Sequence, residues 1–204
     1  MKSVFSSNYA GNLMYYRSIL KADNYCIDLF EKFNKQSYRN RCVIASPNGP
    51  LNLVIPVKRK SKNIFKDVQI DHSQKWEKNH WKSLESAYRS SPYFEYYEDD
   101  FKSIYFNNNY KYLIDFNQLI HLHIINLLEI ETQYSFSDSY ILNNNEIIDY
   151  RFLIHPKVPF ENNLNNLSYH QVFQEKQKFL PNLTILDLIF NEGPKARQFL
   201  DLDL

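Results

Sequence analysis

Leu13, Tyr16 and Leu20 are spaced as one face of a helix over residues 9–21. The apolar positions then close up. Tyr25-Cys-Ile-Asp-Leu-Phe30 reads as a buried strand, and residues 41–46 and 51–57 read as two more. Pro47-Asn48-Gly49-Pro50 joins the last two, and Asn-Gly is a strong hairpin signal. Pro56 marks a strand end or an edge. Lys58 to Lys62 reads as a basic loop, with a fourth strand around residues 66–71. Together these predict an antiparallel meander in the first third. Helical periods follow at 74–90, then from Ser91-Pro92 with Phe94, Tyr97, Phe101 and Ile104 as its stripe, then at 110–130. Tyr134–Tyr140 alternates weakly, as a strand returning to the sheet would. Residues 141–168 read as loop, and a last helix near 183–191 stops at Gly193-Pro194. The expected fold is α+β: one domain over residues 1–204, with a small, mostly antiparallel sheet covered by helices. That sheet comes from the N-terminal third plus one later strand.

Composition narrows the chemistry. The 204 residues contain only three glycines, Gly11, Gly49 and Gly193, so no glycine-rich phosphate loop can be written. No nucleophile elbow is present either. Cys26 and Cys42 sit in apolar runs and read as small buried hydrophobes, and two cysteines alone make neither a zinc site nor a disulfide framework. The N-terminus lacks a signal-peptide core and no window is long and apolar enough for a membrane span, so a cytoplasmic protein is expected. Net charge is +1, yet residues 1–66 carry +9 and the remainder −8. That asymmetry fits either an anion-attracting field or pairing between the two parts. The near-neutral total argues against nucleic acid.

Lys35-Gln36-Ser37-Tyr38-Arg39-Asn40-Arg41 packs three cations among hydrogen-bonding side chains. Extended backbone would put Lys35, Ser37, Arg39 and Arg41 on one side, with Asn40 beside them and Arg59 and Lys60 near in the sheet. Such a segment suits a phosphate or carboxylate, which arginine holds bidentately. A solvated connection is the plainer alternative. His80 shares a helix face with Trp76, Leu84 and Ala87, which marks it as partly buried and as the candidate general base. A core histidine with one hydrogen bond is its plainer alternative. Asp67 and Asp71 flank Gln69 and could act as paired carboxylates, but no third oxygen ligand accompanies them, so no metal site is assigned. Trp76, Trp81 and Tyr93 are the aromatics available to stack on a sugar or base.

Several runs then form a recognisable order. They are Phe33 to Arg41, Ile55-Pro56-Val57, Asp67-Val-Gln-Ile70, Trp76 to Ser83, Tyr88 to Phe94, Phe152-Leu-Ile-His-Pro156 and Leu183 to Gly193. With them the chain resembles the WbqC-like family of bacterial proteins over about residues 12–195, in the variant common in Bacteroidetes-type bacteria. The resemblance implies an association with O-antigen gene clusters, hence with surface-polysaccharide or amino-sugar metabolism, by association only. One departure stands out. Many relatives open with a His-or-Gln-Pro-x-Tyr-x-Pro stretch, whereas Ser7 to Tyr16 here has neither proline nor histidine.

Two functions follow as expectations. The first is an enzyme modifying a nucleotide-linked amino sugar by acyl or aminoacyl transfer. Lys35, Ser37, Arg39, Asn40 and Arg41 would hold the phosphates, His80 with Asp67 would move protons, and Trp76, Trp81 or Tyr93 would stack. The second is a non-catalytic binding or assembly protein of the same pathway, with an exposed apolar patch and an inert, buried His80. A small anionic ligand is the expected partner, and neither cofactor nor oligomeric state is legible.

Overall fold

The computed structural model describes residues 2–58, 64–106, 110–158 and 168–201. Its main sheet has four strands in the order β5-β2-β1-β6, and every pairing in it is parallel. The strands are β1 (Lys2–Phe5), β2 (Asn24–Ile27), β5 (Gln133–Phe136) and β6 (Ile147–Asp149). A separate hairpin pairs β3 (Arg41–Ser46) with β4 (Gly49–Val54), closing from Ser46 to Gly49. The helices are α1 (Leu13–Leu20), α2 (Trp76–Tyr88), α3 (Phe94–Phe106), α4 (Leu113–Leu127), α5 (Tyr150–Leu153), α6 (Ile185–Glu192) and α7 (Ala196–Asp201).

This overturns the expected mostly antiparallel sheet. Only the β3–β4 hairpin is antiparallel, and the principal sheet is parallel throughout. The cause is α1, which begins at Asn12, whose side chain accepts from the Tyr15 N–H, and which carries the chain from β1 back to β2 in the same direction. In β1, Ser3, Val4 and Phe5 are all buried, and in β2 so are Tyr25, Cys26 and Ile27. Strands covered on both faces read as short continuous runs rather than alternations. Residues 65–67 form a 3-10 turn instead of a fourth strand, and Val57, Gln69 and Ile70 make only isolated bridges. Strand β6 and helix α5 lie where loop was expected. The basic residues Arg59 and Lys60 lie outside the described residues.

The helices α2, α3 and α4 stand where their periods place them, with Trp76, Leu84, Phe94, Phe101, Phe116 and Ile120 buried. The core is aromatic: Phe5 stacks on Tyr150 at 4.5 Å and meets Tyr15 and Tyr25 edge-on. Among the described residues no helix is long and apolar enough to cross a membrane.

Candidate functional site

In a parallel sheet all carboxyl ends face one edge, and ligands bind at that edge where the strand order reverses. Here the chain leaves β1 toward β2 and later returns to β6 on the other side of β1. Asp28 follows β2, Ser137 follows β5, Asp149 ends β6, and Ser6 follows β1. One charge network joins these ends. The Arg151 guanidinium pairs with Asp149 through Nε (2.9 Å) and Nη2 (2.5 Å), with Asp28 through Nη1, and with the Ile141 carbonyl (2.7 Å). Asp28 also accepts from the Ser137 hydroxyl (2.9 Å) and from the Phe30 and Ile141 N–H groups. The paired carboxylates raise the Arg151 pKa against the opposing effect of burial.

Above this floor lies a half-open cleft of about 380 Å³ lined by Phe30, Glu31, Arg39, Tyr140, Arg151 and Phe152, with Lys32 and Asn34 at its margin. Glu31 is gripped bidentately by Arg39, Nε to Oε1 at 2.8 Å and Nη2 to Oε2, and accepts from the Ser6 hydroxyl at 3.1 Å. Burial pushes the Glu31 carboxyl up while Arg39 and Ser6 pull it back. The grip uses two of the five N–H groups of Arg39. Its Nη1 makes no hydrogen bond among the described residues, so the fork keeps an edge for a ligand. Asp28 accepts four hydrogen bonds and is saturated. The cleft therefore offers more spare donors than acceptors, which suits an oxygen-rich anion. Tyr140 lies under the Arg151 guanidinium at 4.9 Å, and Phe152 is 57% exposed beside it, giving a flat aromatic rim.

Of the candidate residues from the sequence, Arg39 alone lines the cleft. The 35–40 segment is turn rather than strand, with Gln36 at φ 59°, so the expected alternation fails. Lys35 is exposed; Ser37 turns inward and donates to the Asn34 carbonyl at 2.6 Å. Asn40 donates to the Ile55 carbonyl at 2.9 Å, and Arg41 to the Gln36 carbonyl at 3.1 Å.

His80 is 6% exposed in the core. Its Nδ1 meets the Tyr9 hydroxyl at 3.0 Å, that hydroxyl meets Tyr105 at 2.5 Å, and the ring also bonds the Val54 backbone. Burial lowers its pKa to about 4, against the Val54 bond, so the ring is neutral and both nitrogens are used. Trp76 packs edge-on to His80 and Phe116, and Trp81 packs beside Phe94 and Tyr105. Tyr93 lies over Gly193 and beside Tyr96. Asp67 ends the 3-10 turn, half-buried. Among the described residues no three His, Cys, Asp or Glu side chains gather as a metal site requires.

Glu31, Arg151, Asp28 and Asp149 were absent from the candidates. Their signal was available: a charge inside an apolar run, as in Tyr25–Phe30 or Ile147–Phe152, needs a partner when the run is buried.

The WbqC-like protein family profile matches residues 7–155, a span that takes in every residue lining the cleft. Among curated proteins, the uncharacterized protein Rv1507c of Mycobacterium tuberculosis (strain ATCC 25618 / H37Rv) is 26% identical over 223 residues, covering 97% of this chain and 96% of that protein. No solved structure matches the chain.

Proposed function

The chain belongs to the WbqC-like protein family, and from that membership we propose that it binds a nucleotide-linked amino sugar used for surface polysaccharide and modifies its amino group by acyl transfer. The observation that carries this reading is the unpaired edge of Arg39 in a cleft at the carboxyl ends of parallel strands. Arg39 takes a phosphate oxygen on its free N–H groups. Tyr140 and Phe152 provide the face for a sugar or base. Glu31, held in the cleft beside Arg39, is the carboxylate placed to receive the proton lost by the amine as its nitrogen forms the new C–N bond with the carbonyl carbon of an acyl thioester co-substrate, whose C–S bond breaks and whose thiolate leaves. His80, buried in the core against Tyr9 and Trp76 and absent from the cleft lining, takes no part in proton transfer.

A second reading has its own support. Leu142 is 74% and Leu153 59% exposed, next to the aromatic rim, and His80 is buried. This is what a non-catalytic assembly protein of the same pathway would present.

Thermal melting with UDP-, dTDP- and GDP-linked amino sugars separates the two. A ligand at 100 times its Kd stabilises by about 2.7 kcal/mol, which raises Tm by about 5–10 °C for a chain of this size. The binding reading expects such a shift, reduced at least tenfold in apparent affinity by Arg39→Lys, which keeps the charge but loses the fork. Absence of a shift with every sugar nucleotide leaves the assembly reading in its place.

A further inference from the structure

Resting on the anion-binding reading of the cleft, we infer that the Tyr140–Phe152 rim seats a nucleobase and not the sugar, so that a nucleoside diphosphate lies with its base on the rim and its amino sugar toward Glu31. The rim is a built platform. The Arg151 guanidinium lies over the Tyr140 ring at 4.9 Å and over the Phe152 ring at 5.6 Å. It also fixes the segment that carries Tyr140, donating to the Ile141 carbonyl at 2.7 Å, while the Ile141 N–H donates to Asp28 at 3.3 Å. One anchored cation thus backs both rings, and Phe152 is still 57% and Tyr140 45% exposed. A ring covered on one side by a cation and open to solvent elsewhere is a flat surface already ordered for a planar ligand.

Polarity decides between base and sugar. A sugar brings several hydroxyls, and each needs a hydrogen-bond partner where it leaves water. The rim has few to give. Arg151 commits four of its five N–H groups to Asp28, Asp149 and the Ile141 carbonyl. The chain neighbours on either segment are Leu142 and Leu153, both exposed and both apolar. A base needs none of these partners on its faces, because stacking serves every base through its π-face. The polar part of the lining is elsewhere: Glu31 and Arg39, with Lys32 and Asn34 at the margin. Sugar hydroxyls find donors and acceptors there. A diphosphate on the open edge of Arg39 then joins the two ends of the ligand.

Titration calorimetry with UDP, GDP, inorganic pyrophosphate and glucosamine 1-phosphate tests this. The last carries an amino sugar and no base. The tighter of UDP and GDP is expected to bind at least tenfold more tightly than pyrophosphate, the effect of one stacked base. Tyr140→Ser/Phe152→Ser, at two exposed positions, should bring that preference below threefold and leave pyrophosphate and glucosamine 1-phosphate unchanged. Phe152→Leu, which keeps apolar bulk and loses the flat face, should weaken the nucleotide at least threefold and leave pyrophosphate alone. Nucleotides no tighter than pyrophosphate, or a preference that survives the double variant, overturn the base seat while the cleft stands. Loss of glucosamine 1-phosphate binding in the double variant puts the sugar on the rim and overturns it as well. Pyrophosphate binding that is lost in Arg39→Lys reports on the cleft reading alone. Failure of all four ligands to bind overturns both.

Discussion

At the residue scale the decisive pair is Arg39 and Glu31, both nearly buried. Burying a charge is costly unless it is paired and hydrogen-bonded, and here each partner makes the other tolerable. The pairing also limits the cleft, because Glu31 competes with any incoming anion for the same guanidinium. Glu31→Gln keeps the shape and removes that competition. Phosphate affinity should therefore rise several-fold at low salt, while folding stability falls by about 3 kcal/mol, because the amide keeps one acceptor for Arg39 and the buried guanidinium loses its counter-charge. Phosphate calorimetry and urea unfolding of the same variant check the two halves, and a fall in affinity would show that Glu31 helps the anion instead.

At the element scale the parallel sheet is held at its carboxyl edge by Arg151. One guanidinium joins β2 through Asp28 and β6 through Asp149, across the end of β1 that lies between them. Arg151→Met leaves two buried carboxylates without their cation, and removal of one partner from a buried pair costs about 3–5 kcal/mol. Urea unfolding should show that loss; a loss under 1 kcal/mol would mean the carboxylates find other partners. The sequence conveyed the elements better than their arrangement. Helical periods located α1 to α4 because each stripe repeats over several turns. The Asn48-Gly49 signal located the β3–β4 hairpin because turn chemistry is local. Strand β1 went unseen because Lys2-Ser-Val-Phe5 holds two apolar residues and its burial depends on partners 22 and 145 positions away. Arg39 was legible as a cation in a dense polar run. Arg151 and Asp149 were read as loop, because three residues of strand give no period to detect.

At the scale of the whole molecule, buried titratable groups set the response to pH. His80, lowered to about 4, and His121, lowered to about 3 between the Tyr16 and Tyr25 hydroxyls, are both depressed by burial below the ordinary value near 6.5. Folded, each binds fewer protons than unfolded, so stability is full above about pH 6.5 and declines as pH falls toward the folded values. Asp187 opposes them. Burial raises its carboxyl to about 6 despite donors from Tyr169 and Gln171, so its contribution is present below about pH 4 and lost as pH rises through 6. The two histidines outweigh Asp187, and stability should fall by on the order of 2 kcal/mol from pH 7 to pH 5, less what Glu31, also raised by burial, returns. His121→Gln keeps hydrogen-bonding capacity without titrating, and should remove about half of the histidine-driven decline in Tm across that range. An unchanged pH profile would assign the decline elsewhere. The order of the strands has a further consequence, for synthesis. As the chain leaves the ribosome, β1 and β2 emerge early, but β5 and β6, which cover their outer edges, come more than 100 residues after β2. Until then two buried strands stand with open edges, which is the condition that invites mispairing between nascent chains. Arg151 arrives only after all four strands of the sheet, and with it both the counter-charge for Asp28 and the floor of the cleft. A truncation just before it yields a chain with helices α1 to α4 and no floor to the cleft.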